Sequence, residues 1–363
     1  MGERASAVEI MVINRSFWHN KRVLVTGHTG FKGSWLALWL VELGAKVFGY
    51  ALEPDTNPSL FRQLGLERDI DHLIADIRDP AAVASRVASV RPDVVFHMAA
   101  QPLVRRSYAD PLLTWQTNVM GTVYLLEALR QLDEPCAVVV VTTDKVYENR
   151  ETCQAFSETD RLGGHDPYSS SKAACELAVD SWRKSFFPAN APVRIATARA
   201  GNVIGGGDWA EDRIVPDAMR AWLAGRQLVV RRPDAVRPWQ HVLEAVGGYL
   251  SLAEGLTVDP SLASAFNFGP LQEAAVSVRR VVQFARDALG HGDTRFEAAT
   301  DGPHESHWLA LDASKSARML GCLPRFDLES SVIHTVNWYC RQSRGEHAAA
   351  LCRADISAWE AVA

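Results

Sequence analysis

Residues 22–43 read Arg-Val-Leu-Val-Thr-Gly-His-Thr-Gly-Phe-Lys-Gly-Ser-Trp-Leu-Ala-Leu-Trp-Leu-Val-Glu-Leu. The stretch begins with an apolar run at Arg22–Thr26, whose β-branched residues favour a strand. A turn with glycines at positions 27, 30 and 33 follows it. The apolar run at residues 34–43 then predicts a helix that ends at Gly44. Strand, glycine turn and helix in this order predict the first unit of a βαβ fold.

The same alternation continues through the first half of the chain. Further apolar runs predict strands at residues 46–50, 72–75, 94–97, 137–141 and 193–197, with helices at residues 80–90, 117–132 and 168–186. Apolar runs without polar alternation are typical of parallel strands buried on both faces. The pattern therefore predicts an α/β fold, a Rossmann-type doubly wound parallel sheet with right-handed crossovers.

The alternation breaks near residue 201, where Gly205-Gly-Gly-Asp208 and prolines at positions 216, 233 and 238 interrupt it. A helix at residues 241–256 and a strand at residues 265–268 return to the sheet pattern. We therefore expect residues 17–200, with residues 236–270 returning to them, to form the sheet domain. Residues 201–235 and 271–345 are expected to form a smaller, interleaved C-terminal lobe that binds substrate.

The composition argues against several classes of protein. The chain has 363 residues and a formal net charge of −5, so no basic excess attracts nucleic acid or an anionic membrane. No stretch approaches the roughly 18 uncharged apolar residues of a membrane span, and the first residues do not resemble a signal peptide. The six cysteines show no Cys-x-x-Cys spacing, so we expect no metal site and reduced, cytoplasmic thiols.

The glycine turn is typical of a dinucleotide-binding site. Its Gly-x-x-Gly-x-x-Gly spacing allows a tight bend, close approach of the backbone to a pyrophosphate, and close packing of helix on strand. The N-terminus of the helix adds free N–H groups and a partial positive charge. The turn therefore predicts a nicotinamide cofactor in the sheet domain. The predicted contacts from the turn are Gly27, Thr29, Gly30, Phe31, Lys32 and Gly33.

The end of the second predicted strand bears on the choice of cofactor. Gly49-Tyr50-Ala51-Leu52 carries neither the acidic residue that would hold a ribose diol nor an arginine pair for a 2′-phosphate, and Glu53 follows slightly later. NAD is therefore favoured over NADP, because nothing here accommodates the extra phosphate. Lys32 either contacts a cofactor phosphate or points to solvent.

Residues after the third and fourth strands are further candidates for cofactor contact. Those after the third strand are placed to meet the adenine, although they also precede the helix that begins at Pro80. Small residues after the fourth strand let the backbone pass close to the cofactor. The residue near the start of the next helix either contacts the cofactor or is a structural hydrogen-bonding residue. These candidates are Asp76, Ile77, Ala99, Ala100, Gln101 and Asn118.

Tyr168 and Lys172 are predicted to move protons and to contact the cofactor. They are four residues apart on a predicted helix and so share one face. A lysine ammonium beside a phenol stabilises the phenolate, which lowers the pKa of the phenol. We therefore expect Tyr168 to act as a base toward a substrate hydroxyl.

Thr142-Thr143-Asp144-Lys145 follows the fifth predicted strand. Ligands of open α/β sheets bind at the carboxyl ends of the strands, so this tetrad should face the same crevice as Tyr168. Thr143 is suited to hydrogen-bond a hydroxyl, Asp144 to act as an acid and Lys145 as a base, if burial shifts their pKa values. The alternative is a helix cap with surface charges. Three proton-transfer groups in one crevice indicate more than a simple alcohol oxidation.

Several stretches together resemble the CDP-glucose 4,6-dehydratase family, sugar-nucleotide dehydratases of the extended short-chain dehydrogenase/reductase group. The resemblance spans about residues 17–338, and its specific parts are the Gly-His-Thr-Gly-Phe-Lys-Gly turn and the Thr-Asp-Lys sequence. The spacing of the glycines and Tyr-x-x-x-Lys are shared by the whole group. The stretches are Phe17-Trp18, Lys21-Arg-Val, Val25-Thr-Gly-His-Thr-Gly-Phe-Lys-Gly33, Pro58-Ser-Leu-Phe61, Thr143-Asp-Lys-Val-Tyr-Glu-Asn-Arg150 and Pro303-His-Glu305.

The resemblance implies a lyase that uses bound NAD to convert CDP-glucose into CDP-4-dehydro-6-deoxyglucose and water. Tyr168, helped by Thr143 and Lys172, would take the proton of the 4-hydroxyl. Lys145 would remove the C5 proton, and Asp144 would protonate the departing C6 hydroxyl. Lysine stands here where dehydratases for other nucleotides usually have glutamate, as it does in the CDP-specific family.

The resemblance also implies substrate contacts and an assembly. Asn202 would contact the sugar diphosphate and Arg237 would bind it, while His304 is a weaker candidate for substrate binding. The alternatives are loop capping for Asn202 and a surface charge for Arg237. The family pairs through two long helices per subunit, so a homodimer or homotetramer is expected through residues 117–132 and 168–186. The apolar faces of these helices would also fit burial within one subunit.

Two other functions stay open at this point. One is another sugar-nucleotide dehydratase or a 4-epimerase of the same fold, but an epimerase has no need of an acid–base pair at C5 and C6. The other is a non-catalytic NAD-binding scaffold or sensor. Such a protein is expected to lack Tyr168, Lys172 or the tetrad, and all of them are present.

Overall fold

The structure, a computed structural model, describes residues 11–270, 275–297 and 306–362. Its strands are β1 (Arg22–Thr26), β2 (Lys46–Ala51), β3 (Asp71–Ile74), β4 (Val94–His97), β5 (Cys136–Val141), β6 (Val193–Ala200), β7 (Val203–Ile204), β8 (Leu228–Val230), β9 (Val236–Arg237), β10 (Gln240–His241), β11 (Ala265–Phe268), β12 (Val276–Ser277) and β13 (Thr294–Phe296).

The helices alternate with the larger strands. They are α1 (Arg15–Trp18), α2 (Phe31–Glu42), α3 (Leu60–Leu64), α4 (Pro80–Val90), α5 (Val104–Ala109), α6 (Pro111–Trp115), α7 (Gly121–Leu129), α8 (Pro167–Phe186), α9 (Ile214–Leu223), α10 (Val242–Val258), α11 (Val278–Leu289), α12 (Ser314–Leu320), α13 (Leu328–Ser343) and α14 (Ala348–Ala361). A π-helical turn, Gln116–Met120, joins α6 to α7, and short 3₁₀ turns lie at Leu66–Arg68, Asp144–Val146 and Pro260–Leu262.

A seven-stranded sheet lies at the centre of the described chain, in the order β11-β6-β5-β4-β1-β2-β3. Every pairing within it is parallel. The strand order reverses between β1 and β4, which opens a crevice at their carboxyl ends where ligands of such sheets bind. The predicted Rossmann-type doubly wound sheet is confirmed.

The sheet is covered on both faces, which explains its uninterrupted apolar strands. Val23 and Val25 of β1 belong to the core that α2 and α10 cover, whereas Leu24 faces the core beneath α4, α7 and α8. All three side chains are 1% exposed or less. Full burial of such a side chain contributes about 1.5–3 kcal/mol, so the two cores hold the strand ends in fixed positions.

The helices that frame the crevice begin at clear N-terminal signals. Asp79 caps α4 and Asp166 caps α8, and each is followed by a proline at the first helical position. The Asp166 carboxylate accepts a hydrogen bond from Ser169 N at 2.9 Å. Such caps stabilise a helix by about 1 kcal/mol and fix where its first turn lies.

Several predicted boundaries move in the structure. The helix predicted at residues 34–43 begins at Phe31, because Gly30 is its N-cap and the glycine turn supplies the first helical turn. The helix predicted at residues 117–132 begins earlier, at Pro111, because Asp110 caps α6. The other predicted elements differ from the structure by a few residues at their ends.

The C-terminal residues form small sheets and helices beside the main sheet. Two-stranded pairings join β10 to β7, β12 to β9, and β13 to β8, while β11 returns to the main sheet beside β6. The division into residues 17–200 with 236–270, and 201–235 with 271–345, stays a prediction. Helices α9, α11, α13 and α14 were not predicted.

The last helix packs against the first βαβ unit. The Trp359 ring of α14 meets the Trp39 ring of α2 edge to face, with centroids 5.1 Å apart. Glu360 accepts a hydrogen bond from Trp39 Nε1 at 3.1 Å and pairs with Arg15 at 2.7 Å. Residues from the two ends of the described chain therefore close one face of the core together.

Among the residues described, none of the helices has the length and apolar character that a membrane crossing requires. All six cysteines are free thiols, and Cys136, Cys175 and Cys352 among them are buried.

Candidate active site

A deep cleft of about 1280 Å³ lies at the carboxyl ends of the central strands. Its walls include Lys32 from the turn after β1, Thr143 after β5 and Gly201 after β6. Tyr168, near the start of α8, lines the same cleft. The topology therefore brings Lys32 of the predicted cofactor turn into one cleft with Tyr168 and residues 143–145, whereas the glycines of the turn and Lys172 do not line it.

The glycine turn has the tight geometry that its spacing predicts. Gly27 has a φ of +77°, and a Cβ at this position would lie 2.7 Å from the backbone nitrogen of Ala99. A Cβ on Gly33 would lie 2.2 Å from the carbonyl oxygen of Gly27. Side chains are therefore excluded at both positions by the protein's own backbone.

Gly30 differs from the other two glycines. Its φ is negative, and a Cβ there would meet only Gly27 O, at an ordinary 3.5 Å. The fold itself tolerates a side chain here, so the open space above Gly30 suits a ligand that approaches the backbone closely. Because Gly30 is also the N-cap of α2, that space faces the positive end of a helix.

Thr29, Phe31 and Lys32 complete the turn. The Thr29 hydroxyl donates to Leu52 O at 2.9 Å, which ties the turn to the end of β2. Lys32 lines the cleft, and burial, then repulsion from Arg213 and Lys172, lowers the pKa of its amine to about 8. Lys32 therefore lies within the cleft wall and does not extend freely into solvent.

The candidates after the third strand are held by local contacts. The Asp76 carboxylate binds Arg78, with Nε 2.9 Å from Oδ2, and the carbonyl oxygen of Asp76 accepts a hydrogen bond from Tyr50 at 2.7 Å. The Ile77 side chain is buried where a Cβ on Gly121 would meet it at 2.9 Å. Their contact with a cofactor stays a prediction.

Asn118 connects the end of β4 to the helix of the proposed base. Its Oδ1 accepts from Gln101 N at 2.8 Å, and its Nδ2 donates to Ser171 Oγ at 2.8 Å. Ala99 and Ala100 lie just before Gln101, at the point where Gly27 approaches the chain. Asn118 is thus a structural hydrogen-bonding residue, and through Gln101 it fixes the predicted cofactor-facing loop.

Tyr168 and Lys172 are both buried on α8. Lys172 Nζ donates to Val141 O at 3.1 Å, at the end of β5, and burial lowers the pKa of its amine. Burial raises the pKa of the Tyr168 phenol to about 12, while a hydrogen bond with Thr143 and the charge of Arg213 act in the opposite direction. The expectation that Lys172 lowers the pKa of the phenol is wrong for this structure, because the effect of burial is larger.

Thr143, Asp144 and Lys145 form a compact turn after β5. The Thr143 hydroxyl donates to Asp144 Oδ1 at 2.9 Å, and Lys145 Nζ lies 3.5 Å from the same oxygen. Asp144 is only 1% exposed, and among the described residues its Oδ2 has no hydrogen-bond partner. A buried polar atom without a partner is costly, so this oxygen is available to a ligand in the cleft.

The predicted substrate residues divide into two groups. Asn202 and Arg237 line the same cleft, and Asn202 Oδ1 is buried with no hydrogen-bond partner in the described part of the chain. Arg237 is 7% exposed and donates to Val236 O at 2.7 Å, so it is not a solvated surface charge. His304 lies outside the described residues.

Several cationic residues of the cleft were missed by the sequence analysis. Arg105, Arg213 and Arg231 line it, and Asp212 lies between two of them. The Asp212 carboxylate is 2.7 Å from Arg231 Nη2 and 3.8 Å from Arg105 Nε. No periodic pattern marks these positions, and only the fold brings them together.

The sequence matches the model of a protein family described as GDP-mannose 4,6 dehydratase over residues 24–335. A curated relative, the CDP-glucose 4,6-dehydratase of Salmonella typhimurium, is 46% identical over 351 residues. The alignment covers 95% of this chain and 98% of the relative.

Two solved structures share the fold. A dTDP-glucose 4,6-dehydratase from Streptomyces venezuelae, solved with NAD, has a TM-score of 0.75 at 24% identity, covering 89% of this chain and 98% of that one. A UDP-glucose 4-epimerase from Stenotrophomonas maltophila, also with NAD, has a TM-score of 0.78 at 24% identity, covering 90% of this chain and 100% of that one. At these identities the likeness concerns the fold alone.

Proposed function

The chain belongs to the GDP-mannose 4,6 dehydratase family, and on that premise we propose that it is an NAD-dependent sugar-nucleotide 4,6-dehydratase acting on CDP-glucose. The products would be CDP-4-dehydro-6-deoxyglucose and water. The observation that carries the proposal is the buried Asp144 carboxylate beside Lys145, in the cleft that Tyr168 also lines. Oxidation at C4 alone has no use for this second acid–base pair.

The residues of the glycine turn fit the pyrophosphate of NAD. Gly30 leaves open space at the N-terminus of α2, and Lys32 supplies a cation in the same wall of the cleft. Ala99, Ala100 and the loop held by Asn118 would flank the cofactor. When bound, NAD would supply the acceptor for the C4 hydride and, once reduced, the hydride that adds to C6 while a proton returns to C5.

The first proton transfer belongs to Tyr168. Its phenol would take the proton of the sugar 4-hydroxyl, and the Thr143 hydroxyl, which already hydrogen-bonds it, would orient that hydroxyl. Burial holds the pKa of the phenol near 12, so deprotonation depends on nearby positive charge. Arg213 provides such charge in the structure, and Lys172 lies one helical turn away.

Elimination is assigned to Asp144 and Lys145, the two residues that follow Thr143. The C4 ketone acidifies the C5 hydrogen, which the Lys145 amine would remove, while Asp144 would give a proton to the departing C6 hydroxyl as water leaves. Lys145 and Asp144 are adjacent, and their side chains are in contact, so base and acid would act on the neighbouring carbons C5 and C6 of one sugar.

Substrate binding is assigned to the cationic side of the cleft. Asn202 and Arg237 would contact the diphosphate, since a guanidinium presents forked, permanently charged donors to phosphate oxygens. Arg213 and Arg231 line the same cleft and add to the field that attracts the nucleotide. The choice of CDP follows the 46% identical Salmonella relative and the lysine at position 145.

We also propose a homodimer or homotetramer in the cytoplasm. Leu112 on α6 is 75% exposed and Leu177 on α8 is 61% exposed, although α6 and α8 pack against each other. Trp115 adds a partly exposed aromatic ring to α6. An apolar face of this kind is suited to pairing with a second copy, which gives a two- or four-subunit assembly.

One assay tests the proposed function. Purified protein would be incubated with NAD and, separately, CDP-, dTDP-, GDP- and UDP-glucose, and 4-keto sugar detected by its absorbance in alkali. We expect product from CDP-glucose above the other three. No keto product from any of them would exclude a dehydratase, and preference for another nucleotide would overturn only the choice of CDP. A C4 epimer without keto sugar would instead support an epimerase.

A further inference from the structure

The Glu176 carboxylate lies in the core behind the cleft, with both of its oxygens bonded. It is 3% exposed. The Thr142 hydroxyl donates to Oε1 at 2.5 Å, while the Thr197 hydroxyl and Arg199 Nη2 donate to Oε2 at 2.7 and 2.8 Å. Glu176 therefore joins α8 to the residue that follows β5 and to strand β6.

Arg199 extends the same network to a second point. Its Nη1 donates to the Tyr147 hydroxyl at 2.9 Å, and that hydroxyl donates to Asn267 Oδ1 at 2.7 Å. Burial lowers the pKa of the Arg199 guanidinium, but the hydrogen bond and charge of Glu176 outweigh burial and the pKa is raised overall. A buried pair of opposite charges resists rearrangement, because separating the charges in the interior is costly.

Thr142 and Tyr147 are the two ends of the turn that carries the proposed acid and base. Thr142 comes directly before Thr143, and Tyr147 follows the 3₁₀ turn Asp144–Val146. Residues 142–145 and Tyr147 line the cleft, and the Lys145 side chain is 29% exposed. The two ends are thus bonded to the two partners of one ion pair.

From this arrangement we infer that Glu176 and Arg199 are a positioning pair for residues 143–145. Glu176 fixes the first end of the turn through Thr142, and Arg199 fixes the other through Tyr147. The inference rests on the proposed function only in treating residues 143–145 as the reacting groups.

The location of Glu176 explains why the pair sets catalytic geometry. Tyr168, Lys172 and Glu176 are spaced four residues apart on α8, so they lie along one face of that helix. A bond from Glu176 to Thr142 therefore sets Thr143 against Tyr168 as well. Small displacements of reacting groups lower a rate by large factors. Removal of the hydrogen bond at either end of the turn should therefore lower kcat more than it weakens substrate binding.

Two matched substitutions test the role of Glu176. Thr142→Val and Thr197→Val each replace a buried hydroxyl donor to Glu176 by a methyl group, but only Thr142 belongs to the turn. We expect Thr142→Val to lower kcat about tenfold or more with little change in KM, and Thr142→Ser to restore it. Thr197→Val should stay within about twofold of wild type. Equal losses of kcat in both valine variants would overturn the inference.

A third substitution tests the other end without touching Glu176. Tyr147→Phe removes the hydroxyl that Arg199 holds but keeps the ring, which stacks on Phe156 with centroids 4.9 Å apart. We expect the same fall in kcat, with unchanged NAD affinity and near-ultraviolet circular dichroism as evidence of folding. Wild-type kcat in a folded Tyr147→Phe variant would also overturn the inference.

Amide hydrogen exchange separates this inference from the proposed function. Exchange at residues 143–146 should accelerate in Thr142→Val and Tyr147→Phe but not in Thr197→Val, whether or not CDP-glucose is the substrate. If exchange accelerates selectively in these two variants while the wild-type protein makes no keto sugar, the positioning pair is supported and the dehydratase is excluded. Unchanged exchange in both variants would exclude the positioning pair.

Discussion

Lys145 Nζ lies 3.5 Å from Asp144 Oδ1, so the proposed base and the proposed acid of the elimination step form one ion pair. A lysine must lose its proton to act as a base, and an aspartate must hold one to act as an acid. The two side chains that would act on neighbouring carbons of the sugar therefore already lie side by side in the structure.

The first prediction concerns Lys145. In Lys145→Ala, we expect oxidation at C4 to proceed and elimination to fall by about 10²–10⁴-fold, the usual contribution of a positioned general base. Bound NADH should then accumulate when CDP-glucose is added, which its absorbance reports. Lys184→Ala, which removes an exposed lysine paired with Asp180 on α8, is the control and should turn over normally. Normal turnover in Lys145→Ala would remove this residue as the base.

The second prediction concerns the open space above Gly30. Gly30→Ala should fold with unchanged stability, since its Cβ meets no atom closer than 3.5 Å, but should bind NAD at least about tenfold more weakly because the methyl group occupies the cofactor's approach. Isothermal calorimetry and thermal melts measure the two effects. Gly33→Ala should lose stability as well, because its Cβ would lie 2.2 Å from Gly27 O. Wild-type NAD affinity in Gly30→Ala would contradict the prediction.

The third prediction concerns assembly. Leu177→Asp places a charge on an apolar residue that is 61% exposed, and we expect it to convert the proposed assembly into smaller species in analytical ultracentrifugation. Val258→Asp is the matched control, because Val258 is 79% exposed but belongs to α10 and to neither α6 nor α8. If the subunits dissociate in Val258→Asp but not in Leu177→Asp, the interface does not include α8.

The fourth prediction concerns stability in acid. His28 is fully buried, and burial, then the charge of His72, lowers the pKa of its imidazole to about 4, from about 6.5 in an unfolded chain. Between these values the unfolded state binds a proton that the folded state does not, so the free energy of unfolding falls as the pH drops below 6.5. The loss is about 1.4 kcal/mol per pH unit and at most about 3.5 kcal/mol for this residue.

His28→Phe removes that titration, so its unfolding free energy should depend less steeply on pH between 6.5 and about 4. Urea melts at several pH values measure the slope. His347→Gln, at an exposed histidine, should keep the wild-type slope. An unchanged slope in the His28 variant would mean that this imidazole is protonated in the folded protein.

The sheet could be predicted from the sequence because its signal is local. Each strand is a short apolar run, such as Arg22–Thr26 or Val94–His97, with a turn or a helix next to it in sequence. Neighbouring residues are therefore enough to identify each strand and its place in the order of elements. Helix α13 was missed because it follows a stretch interrupted by glycine and proline, where no strand–helix alternation marks it. Helix α11 carries its own signal, which the sequence analysis overlooked: its buried residues recur at helical spacing, at Val281, Val282 and Ala285.

The candidate site could be predicted in part. Tyr168 and Asp144 follow motifs in which every member is a near neighbour in sequence, and the topology then brings both to the cleft. Arg213 and Glu176 carry no such motif, since their partners are distant in sequence and become neighbours only in the folded chain. The error on the pKa of Tyr168 has the same origin, because burial depends on the fold and spacing alone does not give it.

The contact between Trp39 and Trp359 links the order of synthesis to folding. A ribosome adds about 5–20 residues per second, so α2 is complete roughly 15–60 s before α14 has been made. Throughout that interval the apolar surface of α2 that α14 covers is exposed in the nascent chain, and it is open to chaperones or to another nascent chain. A stop codon before residue 348 would leave this surface uncovered permanently, although it would spare every residue of the cleft.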